Sequence, residues 1–229
     1  MANFVKVGHR GAMGYEPENT LISFKKAIEL GADMIELDVR LCKSGELVVM
    51  HDSSVDRMTN GHGSVEGMTL SELKGLQMQK GERIPTLTEV LDFVDKRVKV
   101  NIELKGKRTA WPVSRMIDRY VEEKGWKYDD FMVSSFRHNE LWKMRFLSWD
   151  IKIGALSEVV PPVEFFSFVK AINAYSVNVP IDRIDKKFVE KAHKSKLKVF
   201  VYTANKPEEL NKAKDINVDY ICSNFPDKI

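Results

Sequence analysis

The chain opens on an apolar run over residues 4–8 that stops at His9-Arg-Gly11, as a buried strand stops at a loop. Leu21, Phe24 and Ile28 then recur at helical spacing behind Asn19-Thr20, either of which can cap the helix, and Gly31 closes it. From Ile35 the period becomes two. Ile35, Leu37 and Val39 alternate with Glu36 and Asp38, so both carboxylates point to one face of a strand. Residues 43–46 read as a four-residue hairpin loop and 47–50 as the returning strand. Pairing Cys42 with Leu47 sets His51 opposite Asp38, so two acids and a histidine are expected at one level.

Residues 53–84 break this rhythm with the turn-rich Thr59-Asn-Gly-His-Gly-Ser64 and a short helix opened by the capping box Thr69-Leu-Ser-Glu72. A second capping box, Thr86-Leu-Thr-Glu89, opens a helix through Val94. Strands are then predicted at 99–104, 131–135, 151–156, 175–179, 198–203 and 220–223, with helices at 110–124, 138–147, 162–171, 185–195 and 207–215. With the two earlier strands this makes eight βα units, the pattern of a closed α/β barrel, (β/α)₈, in one domain over residues 1–229. The hairpin and a small insertion, about 53–84, follow the second barrel strand and are expected at the mouth. An open doubly wound sheet would want G-x-G-x-x-G after its first strand, and Gly8-His-Arg-Gly-Ala-Met-Gly14 does not fit.

Barrel sites lie at the C-terminal ends of the strands. There the chain places His9 and Arg10, Glu36 and Asp38, and then Asn101, Glu103 and Lys105 on one face of the third strand. Three adjacent carboxylates in a desolvated mouth repel strongly, since two unit charges at about 4 Å cost about 4 kcal/mol at an effective dielectric near 20. They must gain protons, pair with cations or bind an ion, and an all-oxygen set suits one hard divalent cation, Mg²⁺ or Ca²⁺ with Mn²⁺ possible. The competing reading is a buried ion-pair network with Arg10, Arg40 and Lys105. His9 and His51 are the acid–base candidates; His62, His138 and His193 read as solvated surface residues. A divalent ion would leave the acids one net negative charge, so Arg10 and Lys105 turn the mouth positive and suit it to a phosphate. The chemistry suggested is metal-assisted phosphoryl ester hydrolysis with two histidines moving protons.

Composition narrows the partners. The 229 residues carry 36 basic and 33 acidic side chains, a net +3 that gives no argument for nucleic acid or a membrane surface. Cys42 and Cys222 make neither a disulfide framework nor a metal-ligand spacing and read as apolar fillers. No long apolar segment opens the chain, so neither a signal peptide nor a membrane span is expected, and the cytoplasm is the expected compartment.

His9-Arg-Gly11, Glu18-Asn-Thr20, Glu36-Leu-Asp38, His51-Asp52, Thr59-Asn-Gly61, Ile84-Pro-Thr-Leu87, Asn101-Ile-Glu-Leu-Lys105 and Ser134-Ser-Phe136, in this order, resemble the glycerophosphodiester phosphodiesterases end to end. The resemblance implies a (β/α)₈ barrel with an insertion after the second strand, and hydrolysis of a glycerophosphodiester to glycerol 3-phosphate and an alcohol. It implies Glu36, Asp38 and Glu103 as ligands of a divalent ion, His9 and His51 as base and acid, and Arg10 and Lys105 on the phosphate. Glu18 would support the first-strand loop. A related route has the substrate's own hydroxyl attack phosphorus, so that water then opens a cyclic phosphate. The chain departs from the family at Tyr202, usually Trp, and at Cys222-Ser-Asn224, usually Thr-Asp before an aromatic residue and Pro. Neither departure falls on an expected ligand or proton carrier, so both are expected to bear on the pocket, where Phe136 and Tyr202 can form an apolar wall. Two alternatives are the same barrel acting on a lysophospholipid or glycerophosphoinositol, and a barrel that binds phosphodiesters without cleaving them.

Overall fold

The computed structural model describes residues 4–229, so the first three residues of the expected unit lie outside the described residues. Its strands are β1 (Val5–Gly8), β2 (Met34–Leu41), β3 (Leu47–Val49), β4 (Lys99–Leu104), β5 (Phe131–Ser135), β6 (Lys152–Leu156), β7 (Ser176–Pro180), β8 (Lys198–Tyr202) and β9 (Tyr220–Ser223). All but β3 run parallel, in the cyclic order β1-β2-β4-β5-β6-β7-β8-β9, and β1 closes the ring by pairing Val7 with both Met34 and Cys222. The helices are α1 (Leu21–Glu29), α2 (Leu70–Gly75), α3 (Leu87–Val94), α4 (Ala110–Lys124), α5 (His138–Leu147), α6 (Val163–Ala171), α7 (Lys186–Lys194) and α8 (Pro207–Asp215). This is the (β/α)₈ barrel the strand count predicts. Both expected capping boxes form, at Thr69/Glu72 and Thr86/Glu89, and Thr20 rather than Asn19 caps α1.

The period of two explains the site's location. Ile35, Leu37 and Val39 on β2, Ile102 and Leu104 on β4, and Val199 and Val201 on β8 face the helices and join the main core. Their neighbours face the barrel axis. Low in the barrel these are apolar, with Val7, Met34, Met132, Phe200, Tyr220 and Cys222 packing together. One step up they become polar: Glu36, Asn101, Ser134 and Asn178 are all buried. The apolar floor keeps water beneath the site scarce, so each buried polar group above it depends on the others for partners.

The hairpin register differs from expectation by one residue. Leu41 pairs with Leu47, Val39 with Val49, and Met50 rather than His51 stands opposite Asp38, donating its N–H to the Asp38 carbonyl at 2.9 Å. The loop is tighter because Glu46 joins the ladder through Cys42 N–H, while its carboxylate accepts from Ser44 Oγ at 2.5 Å and Cys42 Sγ at 3.0 Å. Gly45, at φ 100°, supplies the positive dihedral this shorter turn needs. The ladder ends at Val49, so His51 reaches the mouth through a bend in the chain. Arg40 secures that bend by donating Nε and Nη2 to the His51 carbonyl, at 3.0 and 2.7 Å. Arg40 therefore directs these hydrogen bonds to the His51 carbonyl and makes no direct ion pair with the acids among the described residues, where the ion-pair reading expects one.

The insertion has its own small core, in which Val48, Met50, Val55, Val65, Leu73 and Ile84 are buried around Cys42. Two histidines differ from their expected surface roles. His138 stacks on Phe168 with ring centroids 4.6 Å apart and bonds the Leu156 carbonyl, and His193 pairs with Asp219 at 2.8 Å. Cys42 and Cys222 are buried and free. No helix among the described residues is long and apolar enough to cross a membrane. Leu73 is fully buried in the insertion core. Leu73→Ala should cost about 2–5 kcal/mol in urea unfolding, and limited proteolysis should then cut first within residues 53–84.

Candidate active site

The turn after β1 aims the first group of residues. Arg10 and Gly11 take positive φ, 49° and 85°, and a Cβ on Gly11 would sit 2.3 Å from Ser23 Oγ, so α1 can pack against this turn only if residue 11 is glycine. The turn directs Arg10 N–H to Glu36 Oε2 at 2.8 Å. The Arg10 side chain reaches Glu18 Oε1 at 2.8 Å and Asp38 Oδ2 at 3.3 Å. Asn19, buried at φ 58°, holds Asp38 by both ends, with Nδ2 on the carboxylate at 2.9 Å and Oδ1 accepting from Asp38 N–H.

Glu36, Asp38 and Glu103 are buried, and one oxygen from each lies within 4.8 Å of the others. Asp38 and Glu103 are register partners on β2 and β4, which fixes their level. Burial, and then the Asp38 and Glu103 charges, push Glu36 well above the usual carboxylate range. Burial, and then Asp38, raise Glu103 to about 7. Lys105 Nζ lies 2.6 Å from Glu103 Oε1 and 3.6 Å from Asp38 Oδ1, and two cations against three acids leave the cluster short of positive charge. Asp38 Oδ1 has no hydrogen-bond donor at all. A carboxylate oxygen without a hydrogen bond in a buried three-acid cluster fits a hard divalent cation.

The histidines stand on the same cavity, of about 250 Å³, with Arg10, Glu36, Asn101, Glu103, Lys105, Phe136 and Tyr202 on its walls. His9 Nδ1 donates to Asn224 Oδ1 at 2.7 Å, and His51 Nδ1 donates to Asp52 Oδ1 at 2.7 Å. Each ring thus keeps Nε2 for chemistry. Burial, and then the Arg10 charge, lower His9 to about 4, and burial lowers His51. A hydrogen bond from Arg57 is the main cause that brings Asp52 down to about 2. Across the cavity Phe136 and Tyr202 meet edge to face, centroids 6.1 Å apart, with Lys105 Nζ 5.4 Å from the Phe136 centroid. Asn101 Oδ1, Ser134 Oγ and Asn178 Nδ2 also lack partners, so a ligand's hydroxyls would find donors and acceptors here.

The structure therefore gathers the sequence candidates into one mouth, with Glu18 behind Arg10 rather than on the cavity. It also brings in Asn19, Asp52, Arg57 and Asn224 as partners of the site residues. Asp52 adjoins His51 in the quoted motif. Asn224 belongs to the departure that is expected to bear on the pocket. In the structure Asn224 is also the hydrogen-bond partner of His9. Nothing in sequence signals Arg57, whose partners lie five and 39 residues away.

The sequence pattern of the Glycerophosphoryl diester phosphodiesterase family matches residues 9–228. A glycerophosphodiester phosphodiesterase of Caldanaerobacter subterraneus is 37% identical over 232 residues, covering 97% of this chain and 95% of that protein. Among solved structures, an Oleispira antarctica phosphodiesterase in complex with the product sn-glycerol-3-phosphate superposes with TM-score 0.88 at 27% identity, covering 97% and 94% of the two chains. A Thermotoga maritima glycerophosphodiester phosphodiesterase gives 0.81 at 30%, covering 97% and 96%.

The raised carboxyl of Glu103 has a measurable consequence in metal-free protein. Its contribution to stability is complete below the ordinary 4.5 and is lost as pH climbs through about 7. His9, lowered to about 4, acts with the opposite sign, since its contribution is lost as pH falls from 6.5. Comparing Glu103→Gln with wild type isolates the carboxyl. In chelator, urea unfolding should favour the variant increasingly as pH rises from about 5 to about 8.

Proposed function

The chain belongs to the glycerophosphoryl diester phosphodiesterase family and is a phosphoric diester hydrolase; we propose that it cleaves glycerophosphodiesters to glycerol 3-phosphate and an alcohol at this mouth. One observation carries the assignment of roles. The two histidines face one cavity with Nε2 free, but their Nδ1 partners differ in charge. Asn224 is a neutral acceptor that fixes the His9 tautomer with a lone pair on Nε2, as a base requires. Asp52 is a carboxylate that stabilises the imidazolium of His51, as an acid requires.

On this reading His9 Nε2 takes the proton from the glycerol hydroxyl, whose oxygen then bonds to phosphorus. The bond from phosphorus to the leaving alcohol breaks, and His51 gives that oxygen its proton. Water opens the resulting cyclic phosphate with the roles reversed, which restores both histidines. Arg10 and Lys105 neutralise the non-bridging phosphate oxygens. Glu36, Asp38 and Glu103 would hold one divalent ion, Mg²⁺ or Ca²⁺ with Mn²⁺ possible. When bound, it supplies Lewis-acid stabilisation of the negative charge that develops around phosphorus. The product seen in the Oleispira antarctica structure supports glycerol 3-phosphate as the released fragment.

The test is a coupled assay for glycerol 3-phosphate across a headgroup panel, with lysophosphatidylcholine alongside glycerophosphocholine. Release from the small diesters is expected, and release from neither substrate class would refute hydrolysis in favour of a binding barrel. Chelation should remove turnover and a divalent ion should restore it; full activity in metal-stripped protein would sink the metal assignment. Glu103→Gln and His51→Ala should each lower kcat by about 10²–10⁴-fold without unfolding the chain.

A further inference from the structure

Arg57 lies outside the barrel, in the insertion, yet among the described residues it alone hydrogen-bonds both Asp52, the partner of His51, and Glu18, the partner of Arg10. Its Nε donates to Asp52 Oδ2 at 2.6 Å. Its Nη1 and Nη2 donate to Glu18 Oε2 and Oε1, at 3.0 and 2.7 Å. Asp52 turns its other oxygen to His51 Nδ1, and Glu18 Oε1 also receives Arg10 Nη1. The chain His51–Asp52–Arg57–Glu18–Arg10 is thus continuous in charge-assisted hydrogen bonds.

The backbone that carries Arg57 is held on both sides. Val55 is fully buried in the insertion core, Met58 packs against that core, and Met58 and Thr59 both donate their N–H groups to the Val55 carbonyl. A guanidinium is the side chain suited to this place, because its planar fork can serve two carboxylates with three N–H groups in fixed directions. A lysine could approach both carboxylates but would fix neither.

We infer that Arg57 is a positioning residue that sets His51 and Arg10 relative to each other, so that one clamp from the insertion aligns proton delivery with phosphate binding. The inference rests on the roles given to His51 and Arg10 above. Without Arg57, Asp52 keeps one ordered partner and can turn toward water, which frees the His51 ring. Glu18 keeps only Arg10, which loosens the phosphate end.

A double-mutant cycle on the full chain tests this, with kcat and KM read from glycerol 3-phosphate release. Arg57→Ala should lower kcat about 10- to 100-fold and raise KM, and methylguanidinium should recover part of the loss. In an Asp52→Asn background the same substitution should change kcat less than about 2-fold while still raising KM. In a Glu18→Gln background it should change KM less than about 2-fold. Arg57→Lys should recover thermal stability but not kcat. An equal kcat loss with and without Asp52, or loss of stability with unchanged kinetics, would overturn the clamp. Side-chain ¹⁵N spectra of His51 need no substrate. One tautomer, protonated at Nδ1, is expected in wild type and a mixture in Arg57→Ala, and identical spectra would overturn the clamp. Inactivity of the wild type toward every glycerophosphodiester would instead count against the substrate reading, leaving the spectra to decide the clamp.

Discussion

Three buried carboxylates within 4.8 Å of one another set the terms for the rest of the mouth. No packing of apolar side chains can offset their repulsion, because the low dielectric that burial creates is what makes it large. The fold meets it with short-range countercharge and directed donors. Arg10 supplies both a backbone N–H to Glu36 and a guanidinium to Asp38, Lys105 reaches two acids, and buried Asn19 holds Asp38 from behind. These partners still leave Asp38 Oδ1 without a hydrogen bond, with the Lys105 ammonium 3.6 Å away. The cluster is organised as far as side chains can organise it, and its remaining deficit is of positive charge.

The same demand explains why the polar layer sits on an apolar floor. Met34, Met132, Phe200 and Cys222 pack together inside the barrel, and Phe200 and Cys222 also line the cavity beside Glu36 and Asn101. Solvent and ligand reach the carboxylates from the cavity side, where His9 and His51 stand. Both rings are anchored at Nδ1, one to a neutral amide and the other to a carboxylate. Burial lowers both rings, and their Nδ1 partners differ by one atom, an amide nitrogen in Asn224 where Asp52 has a second carboxylate oxygen.

The additions to the barrel serve the second histidine. β3 extends the sheet by three residues and stops, Arg40 fixes the bend at His51, and the insertion supplies Arg57 to Asp52. The insertion core is small, and no residue of 53–84 lines the cavity. Leu73, Met78 and Ile84 are buried in that core, and Met58, Met68, Leu70 and Leu76 are partly buried against it. Of the exposed large apolar side chains, Trp111, Trp142, Phe146 and Leu147 lie on α4 and α5, and Tyr15, Trp149, Val159 and Val160 lie in loops.

The eight-unit barrel, the helix caps and the face shared by Glu36 and Asp38 were legible in the sequence because each follows from local periodicity or from a side chain bonding a backbone group three residues away. The polar ends of the strands were legible for the same reason, since strand alternation decides which side chains face the axis. The hairpin register was not. It turned on Glu46 closing against Cys42 and Ser44, a contest between loop lengths that differ by one residue. The partners of the catalytic candidates were not legible either. Asn224 meets His9 across 215 residues and Arg57 meets Glu18 across 39, and no periodicity relates such positions. Sequence determined which residues could share the mouth, because that depends on strand direction alone. Tertiary structure decided which hydrogen bond each of them makes, because that depends on where separate loops come to rest to within a few tenths of an ångström.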